Sequence, residues 1–114
     1  MASDLVRTVG RQEFDDILRG GGPVLVDFFA DWCGPCKAMV PAVERLAERY
    51  RGRVEVVKVN IDDEPEIAAA YAVRAVPTFL LFSGGEPVDR VTGAVGEAPL
   101  AAAVERHAPA GAAV

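Results

Sequence analysis

The stretch from Val24 to Ala30 is apolar at every position except Asp27. Because its apolar residues are continuous and do not alternate, it predicts a strand buried on both faces. Val54 to Asn60 reads as a second buried strand, and Leu5 to Thr8 as a short one. Between them the spacing changes. Phe14, Ile17 and Leu18 recur at helical intervals and predict a short helix over Arg11 to Leu18, ended by Gly20, Gly21, Gly22 and Pro23. Met39, Val43, Leu46, Ala47 and Tyr50 form one apolar stripe on a helix that ends near Tyr50, with Arg51, Gly52 and Arg53 as its stop. Glu64 to Ala72 predicts a short helix that accepts Pro65 in its first turn. Strand and helix thus alternate three times, which implies parallel strands joined by right-handed crossovers with helices on the sheet faces.

The last third differs. Thr78 to Phe82 and Pro87 to Thr92 flank Ser83, Gly84, Gly85 and Glu86, the pattern of an antiparallel hairpin. Pro99 to His107 predicts a closing helix. Ala108 to Val114 is small, apolar and aperiodic, and a frayed tail is expected there. Residues 1–107 are therefore expected to form a single domain with a mixed sheet and one antiparallel edge. A ligand site is expected beyond the carboxyl end of a central strand, where Cys33 lies.

Composition narrows the function classes. The chain has 114 residues and a formal net charge of −5. That balance argues against a nucleic-acid partner held through its phosphates. No apolar stretch approaches the roughly 20 residues of a membrane helix. Met1 to Gly10 carries no basic segment leading into an apolar core, so no export signal is visible and a cytoplasmic location is expected. There are only two cysteines. They do not make a disulfide scaffold, and in a reducing compartment such a pair points to catalysis or metal binding.

Cys33 and Cys36 stand at the junction of a buried strand and a helix, the arrangement that thiol–disulfide exchange needs. If the helix begins around Gly34, Cys33 is its N-cap. Pro35 has no N–H, so the amide of Cys36 is the donor left for the Cys33 sulfur. That contact and the helix dipole favour a thiolate at Cys33. An exposed Cys33 would attack a substrate disulfide, and a shielded Cys36 would resolve the mixed disulfide by attacking Cys33. Gly34 and Pro35 keep the loop between them tight.

Trp32, Cys33, Gly34, Pro35, Cys36 and Lys37 resemble the active-site motif of the thioredoxin family. The resemblance continues through Asp27, a buried acid in that family; Pro41, which kinks the active-site helix; and Lys58, the lysine near the acid. Arg74, Val76, Pro77 and Thr78 resemble the segment with its cis-proline, Gly84 to Glu86 its last hairpin turn, and Gly93 the glycine of its substrate groove. It spans about Leu5 to His107. It implies an α/β thioredoxin fold, a mixed five-stranded central sheet flanked by four helices. It also implies a monomeric protein-disulfide reductase that carries a redox-active Cys33–Cys36 disulfide, has no bound cofactor or metal, and is recycled by an NADPH-dependent flavoprotein thioredoxin reductase.

Residue roles follow from the same resemblance. Asp27 takes the proton of Cys36, and burial should raise its pKa above that of an exposed aspartate. Lys58 either tunes Asp27 or solvates a strand edge. Trp32, Gly34, Pro35, Val76, Pro77, Gly93 and Ala94 form a flat, mostly apolar rim that binds flexible protein disulfides. Lys37 is a surface charge, and His107 a surface residue with no ligand role. The sequence departs from the family at Phe29, where a second tryptophan is common, at Ala75, where glycine often stands, and at Thr92, where an apolar residue is frequent. Three rivals remain. A metal site needs four ligands, which Cys33, Cys36 and His107 do not supply. A non-catalytic adaptor would not require both cysteines with the buried acid. An oxidant or isomerase would reverse the same chemistry.

Overall fold

The unbroken apolar run of Val24–Phe29 becomes β2, the middle strand of five, and every other element is placed with respect to it. The computed structural model describes residues 6–107. In chain order the elements are β1 (Arg7–Thr8), α1 (Arg11–Arg19), β2, α2 (Gly34–Ala38), α3 (Val40–Arg49), β3 (Glu55–Asn60), α4 (Pro65–Ala70), β4 (Thr78–Ser83), β5 (Glu86–Thr92) and α5 (Glu97–His107). The sheet order is β1-β3-β2-β4-β5. β1, β3 and β2 are parallel, and β4 runs against both β2 and β5. The mixed sheet expected from the pattern is therefore present, with the hairpin attached to the central strand. Expectations for Leu5 and for residues 108–114 fall outside the described residues.

Alternation along each strand divides the core between two faces. Leu25, Val56, Phe79 and Leu81 pack with Met39, Val43 and Leu46 and with Leu100 and Val104 of α5. Val26, Phe28, Val57, Val59, Leu80 and Phe82 pack on the other face with Phe14 of α1 and Ile67 of α4. Each fully buried side chain of this size contributes about 1.5–3 kcal/mol, so the core readily carries one unfavourable buried carboxyl. That carboxyl is Asp27, on the same face as Leu25.

Where four helices were expected there are five. The apolar stripe after the cysteines was expected to be one kinked helix, but it is divided at Met39, which ends α2 and precedes α3. The cause is Pro41: it has no N–H to give the Lys37 carbonyl four residues back, and the Met39 amide turns to the Cys36 and Lys37 carbonyls instead. α5 begins at Glu97, two residues before the expected start at Pro99, because proline is tolerated within a first turn. The hairpin turn is tighter than the four residues read from sequence. Only Gly84 and Gly85 lie between the strands, with φ of 64° and 80°, the left-handed pair of a type I′ turn.

Candidate active site

β2 ends at Phe29, and the chain turns through Ala30, Asp31 and Trp32 before Cys33 caps α2. Cys33 and Cys36 are joined by a disulfide, with their Cα atoms 5.3 Å apart. The Cys33 sulfur accepts the Cys36 backbone N–H at 3.1 Å, the contact expected from a proline-containing first turn. It also lies 3.6 Å from the carbonyl oxygen of Val76. A disulfide sulfur has no proton, so this is a packing contact here; a Cys33 thiol in the same place would have an acceptor in reach.

Cys33 was expected to be exposed and Cys36 shielded. In the disulfide form the two do not differ in this way, being 3% and 5% exposed. Joined, they form one buried cluster with Ala30, against which Phe29, Ile61 and Val76 pack. What separates the two sulfurs is hydrogen bonding, because only Cys33 is capped by a backbone amide.

Asp27 is 2% exposed, and its Oδ1 has no hydrogen-bond partner. Burial pushes its pKa up to about 7, against the opposing pull of the Lys58 ammonium. Asp27 is paired in register with Lys58 on one side and Phe79 on the other. The Lys58 ammonium sits 4.5 Å from the centre of the Phe29 ring. Phe29, the residue standing where a second tryptophan is common in the family, thus gives the lysine an aromatic face. Both residues line a cleft of about 150 Å³ that also reaches Cys36, Lys37 and Val40.

Most of the expected rim is gathered around the cysteines. Trp32 is 69% exposed, and its Nε1–H donates to Asp62 Oδ2 at 2.9 Å. Gly34 and Pro35 are exposed on the first turn of α2. The Val76–Pro77 peptide is cis, as the resemblance implied. The Gly93 N–H donates to the Pro77 carbonyl at 2.8 Å, which brings the end of β5 to the proline loop. Ala94 is exposed and joins this group only as the neighbour of Gly93.

Sequence reasoning missed several supports. Thr78 Oγ1 donates to the Ala75 carbonyl at 2.6 Å and ties down the loop before Pro77. Asn60 and Asp62 brace Trp32. The run Asn60-Ile61-Asp62 at a strand end is a recognisable turn signal. His107 is half-buried, and its Nε2 lies 3.3 Å from Asp89, which also accepts from Arg106. Among the described residues no group of three or more His, Cys, Asp or Glu side chains is placed to hold a metal ion. No described helix is long and apolar enough to cross a membrane.

The family model described as Thioredoxin matches residues 5–106. The chain belongs to the thioredoxin family. It is 46% identical over 92 residues to Thioredoxin 1 of Nostoc sp., covering 81% of this chain and 86% of that protein. It is 47% identical over 87 residues to the bifunctional thioredoxin reductase/thioredoxin of Mycobacterium leprae, covering 76% of this chain and 19% of that protein. Among solved structures it is similar to a point mutant of thioredoxin from Halobacterium salinarum NRC-1, with a TM-score of 0.83, 39% identity and 95% of each chain covered. Like its family, the chain is a protein-disulfide oxidoreductase of the thioredoxin fold, and Cys33 and Cys36 are its exchanging pair.

Proposed function

We propose that the reduced chain works as a single-chain, cytoplasmic reductant of protein disulfides, with Cys33 as nucleophile, Cys36 as resolving thiol and Asp27 as proton acceptor. The observation that carries these roles is the asymmetry of the pair. The Cys36 amide donates to the Cys33 sulfur and would stabilise negative charge there, and Asp27, on the strand that leads into the cysteine loop, is a buried carboxyl with its pKa pushed up to about 7.

In the forward reaction the Cys33 thiolate attacks one sulfur of the client disulfide. That S–S bond breaks as the mixed disulfide forms, and the first client thiolate leaves and takes a proton from water. Cys36 then gives its proton to the Asp27 carboxylate and attacks Cys33. The Cys33–Cys36 bond forms as the bond to the client breaks, and the second client thiolate leaves to be protonated. The client gains two electrons and two protons, and the chain becomes the disulfide. A carboxyl titrating near neutrality suits this step, since both its forms are populated and a proton can be taken and returned. Lys58 acts on that acid through its charge.

Clients bind against Trp32, Gly34, Pro35, Val76, Pro77, Gly93 and Ala94. The exposed indole and the cover of small residues favour a flexible segment that brings its own disulfide to Cys33. Two electrons return from NADPH through a flavoprotein thioredoxin reductase. The relative that joins both names in one chain supports this pairing. Monomeric action is favoured because every group in this scheme comes from one chain.

The test is trapping. With a protein disulfide as client, Cys36→Ser accumulates a covalent adduct through Cys33, reversible by dithiothreitol, whereas Cys33→Ser forms none. Adducts formed equally through either cysteine would overturn the assignment of roles.

A further inference from the structure

We propose that Asn60 is a positioning residue for the client rim: its buried side chain fixes the turn carrying Asp62 and, through Asp62, the indole of Trp32. This rests on the reading of Trp32 as a client contact. Trp32 is 69% exposed, so packing does little to hold its ring. Its one described side-chain anchor is the hydrogen bond from Nε1–H to Asp62 Oδ2, 2.9 Å long. Asp62 is itself exposed. A bond between two exposed side chains fixes nothing unless one partner is held independently.

Asn60 supplies that hold. It is the last residue of β3, 6% exposed and in register with Phe29 of β2. Its Oδ1 accepts the Asp62 N–H at 2.8 Å and the Asp63 N–H at 3.3 Å, closing an Asx turn. The backbone is tied on both sides: the Ile61 N–H donates to the Phe29 carbonyl at 2.9 Å, and the Glu64 N–H donates to the Asn60 carbonyl at 2.9 Å. Position is thus passed from the sheet to the turn, from the turn to the Asp62 carboxylate, and from there to the indole. An aromatic side chain held in its binding orientation loses less freedom when a client arrives. Losing that hold weakens binding of a client that spans the rim and spares a small disulfide that reaches only Cys33.

The chain has one tryptophan, so its fluorescence reports Trp32 alone. Time-resolved anisotropy and the kinetics of insulin reduction with dithiothreitol as the electron source test the inference. Asn60→Ala and Asp62→Ala should each enlarge the fast anisotropy component and raise KM for insulin about two- to tenfold. Their kcat and their rates with a small aromatic disulfide should hold. Asn60→Asp, which keeps the acceptor oxygen, should restore both readouts. Asp62→Ala lies on the surface and keeps the test open if Asn60→Ala fails to fold. Trp32→Ala separates this inference from the rim reading. If Trp32→Ala raises KM while Asn60→Ala and Asp62→Ala leave anisotropy and KM unchanged, Asn60 has no positioning role. If Trp32→Ala leaves KM unchanged, the rim reading fails, and the anisotropy of Asn60→Ala still decides whether the turn holds the indole.

Discussion

Asp27 and Lys58 are register partners across the parallel β2–β3 ladder, so both side chains leave the same face of the sheet. The carboxyl is sealed at 2% exposure, whereas the lysine is half-buried and carries its ammonium to the Phe29 ring. Charge attraction therefore only partly offsets desolvation, and the acid remains raised to about 7.

That displacement fixes how stability depends on pH. The folded-state pKa lies above the unfolded value, so the folded chain holds a proton that the unfolded chain has released. The stabilising contribution is complete below about pH 4 and is lost as pH rises to about 7, at about 1.4 kcal/mol per unit. Asp27→Asn should therefore make the oxidised protein more stable at pH 8 by up to about 4 kcal/mol, with the advantage shrinking as pH falls toward 4. Urea unfolding of both proteins across this range checks it. A constant difference between them would mean that Asp27 titrates normally. The same variant should slow release of the mixed disulfide.

Lys58→Gln removes the charge that pulls the acid down. The Asp27 midpoint should rise above about 7, read from the carboxyl carbon by NMR titration. If Asp27 accepts the Cys36 proton, the pH profile of client release should move to the alkaline side with it. An unchanged midpoint would mean that the ammonium over Phe29 does not act on the carboxylate.

These two side chains also mark how far the sequence could be read. A charged residue inside the run Val24–Ala30 was conspicuous, because such a run has no solvent face to offer it. The cap at Cys33 was legible for a similar reason: Pro35 leaves one amide free to serve it. Lys58 was ambiguous, since its reach depends on which neighbour on the adjacent strand it faces, and strand register is a long-range property. Trp32 stands out in the sequence beside the cysteines, whereas Asp62 and Asn60 do not. Their value to the site depends on β3 ending beside β2, which local spacing does not encode. The burial of Cys33 is not legible locally, because the cluster it joins is closed by Ile61 and Val76, distant in the chain.

The hairpin between β4 and β5 contains two glycines with different tolerances. Both have positive φ, but a Cβ at Gly84 would meet nothing within 4 Å, whereas one at Gly85 would stand 3.3 Å from the Leu18 carbonyl oxygen. Gly84→Asn should be nearly neutral, within about 0.5 kcal/mol, since asparagine readily takes the first position of such a turn. Gly85→Ala should cost about 1–2 kcal/mol. Gly84→Ala carries the same left-handed strain without the contact, so in thermal unfolding it should lose less than Gly85→Ala, and equal losses for these two would mean that the Leu18 contact is irrelevant.

Ala72 holds the left-handed conformation in which glycine is usual, with φ of 56°. It closes α4 in a Schellman motif: the Val73 N–H bonds to the Ala68 carbonyl at 2.8 Å, and the Ala72 N–H to the Ala69 carbonyl at 3.1 Å. Alanine is strained there by about 1–2 kcal/mol, and glycine removes that strain while adding about 0.5–1 kcal/mol of unfolded-chain entropy. Ala72→Gly should therefore stabilise the protein by about 0.5–1 kcal/mol, raising Tm by a few degrees. The same chemical change three residues earlier should have the opposite sign. Ala69 is helical and exposed, and Ala69→Gly should cost about 1 kcal/mol. Opposite shifts in Tm would locate the strain at the helix end, and parallel shifts would show that the backbone at Ala72 carries none.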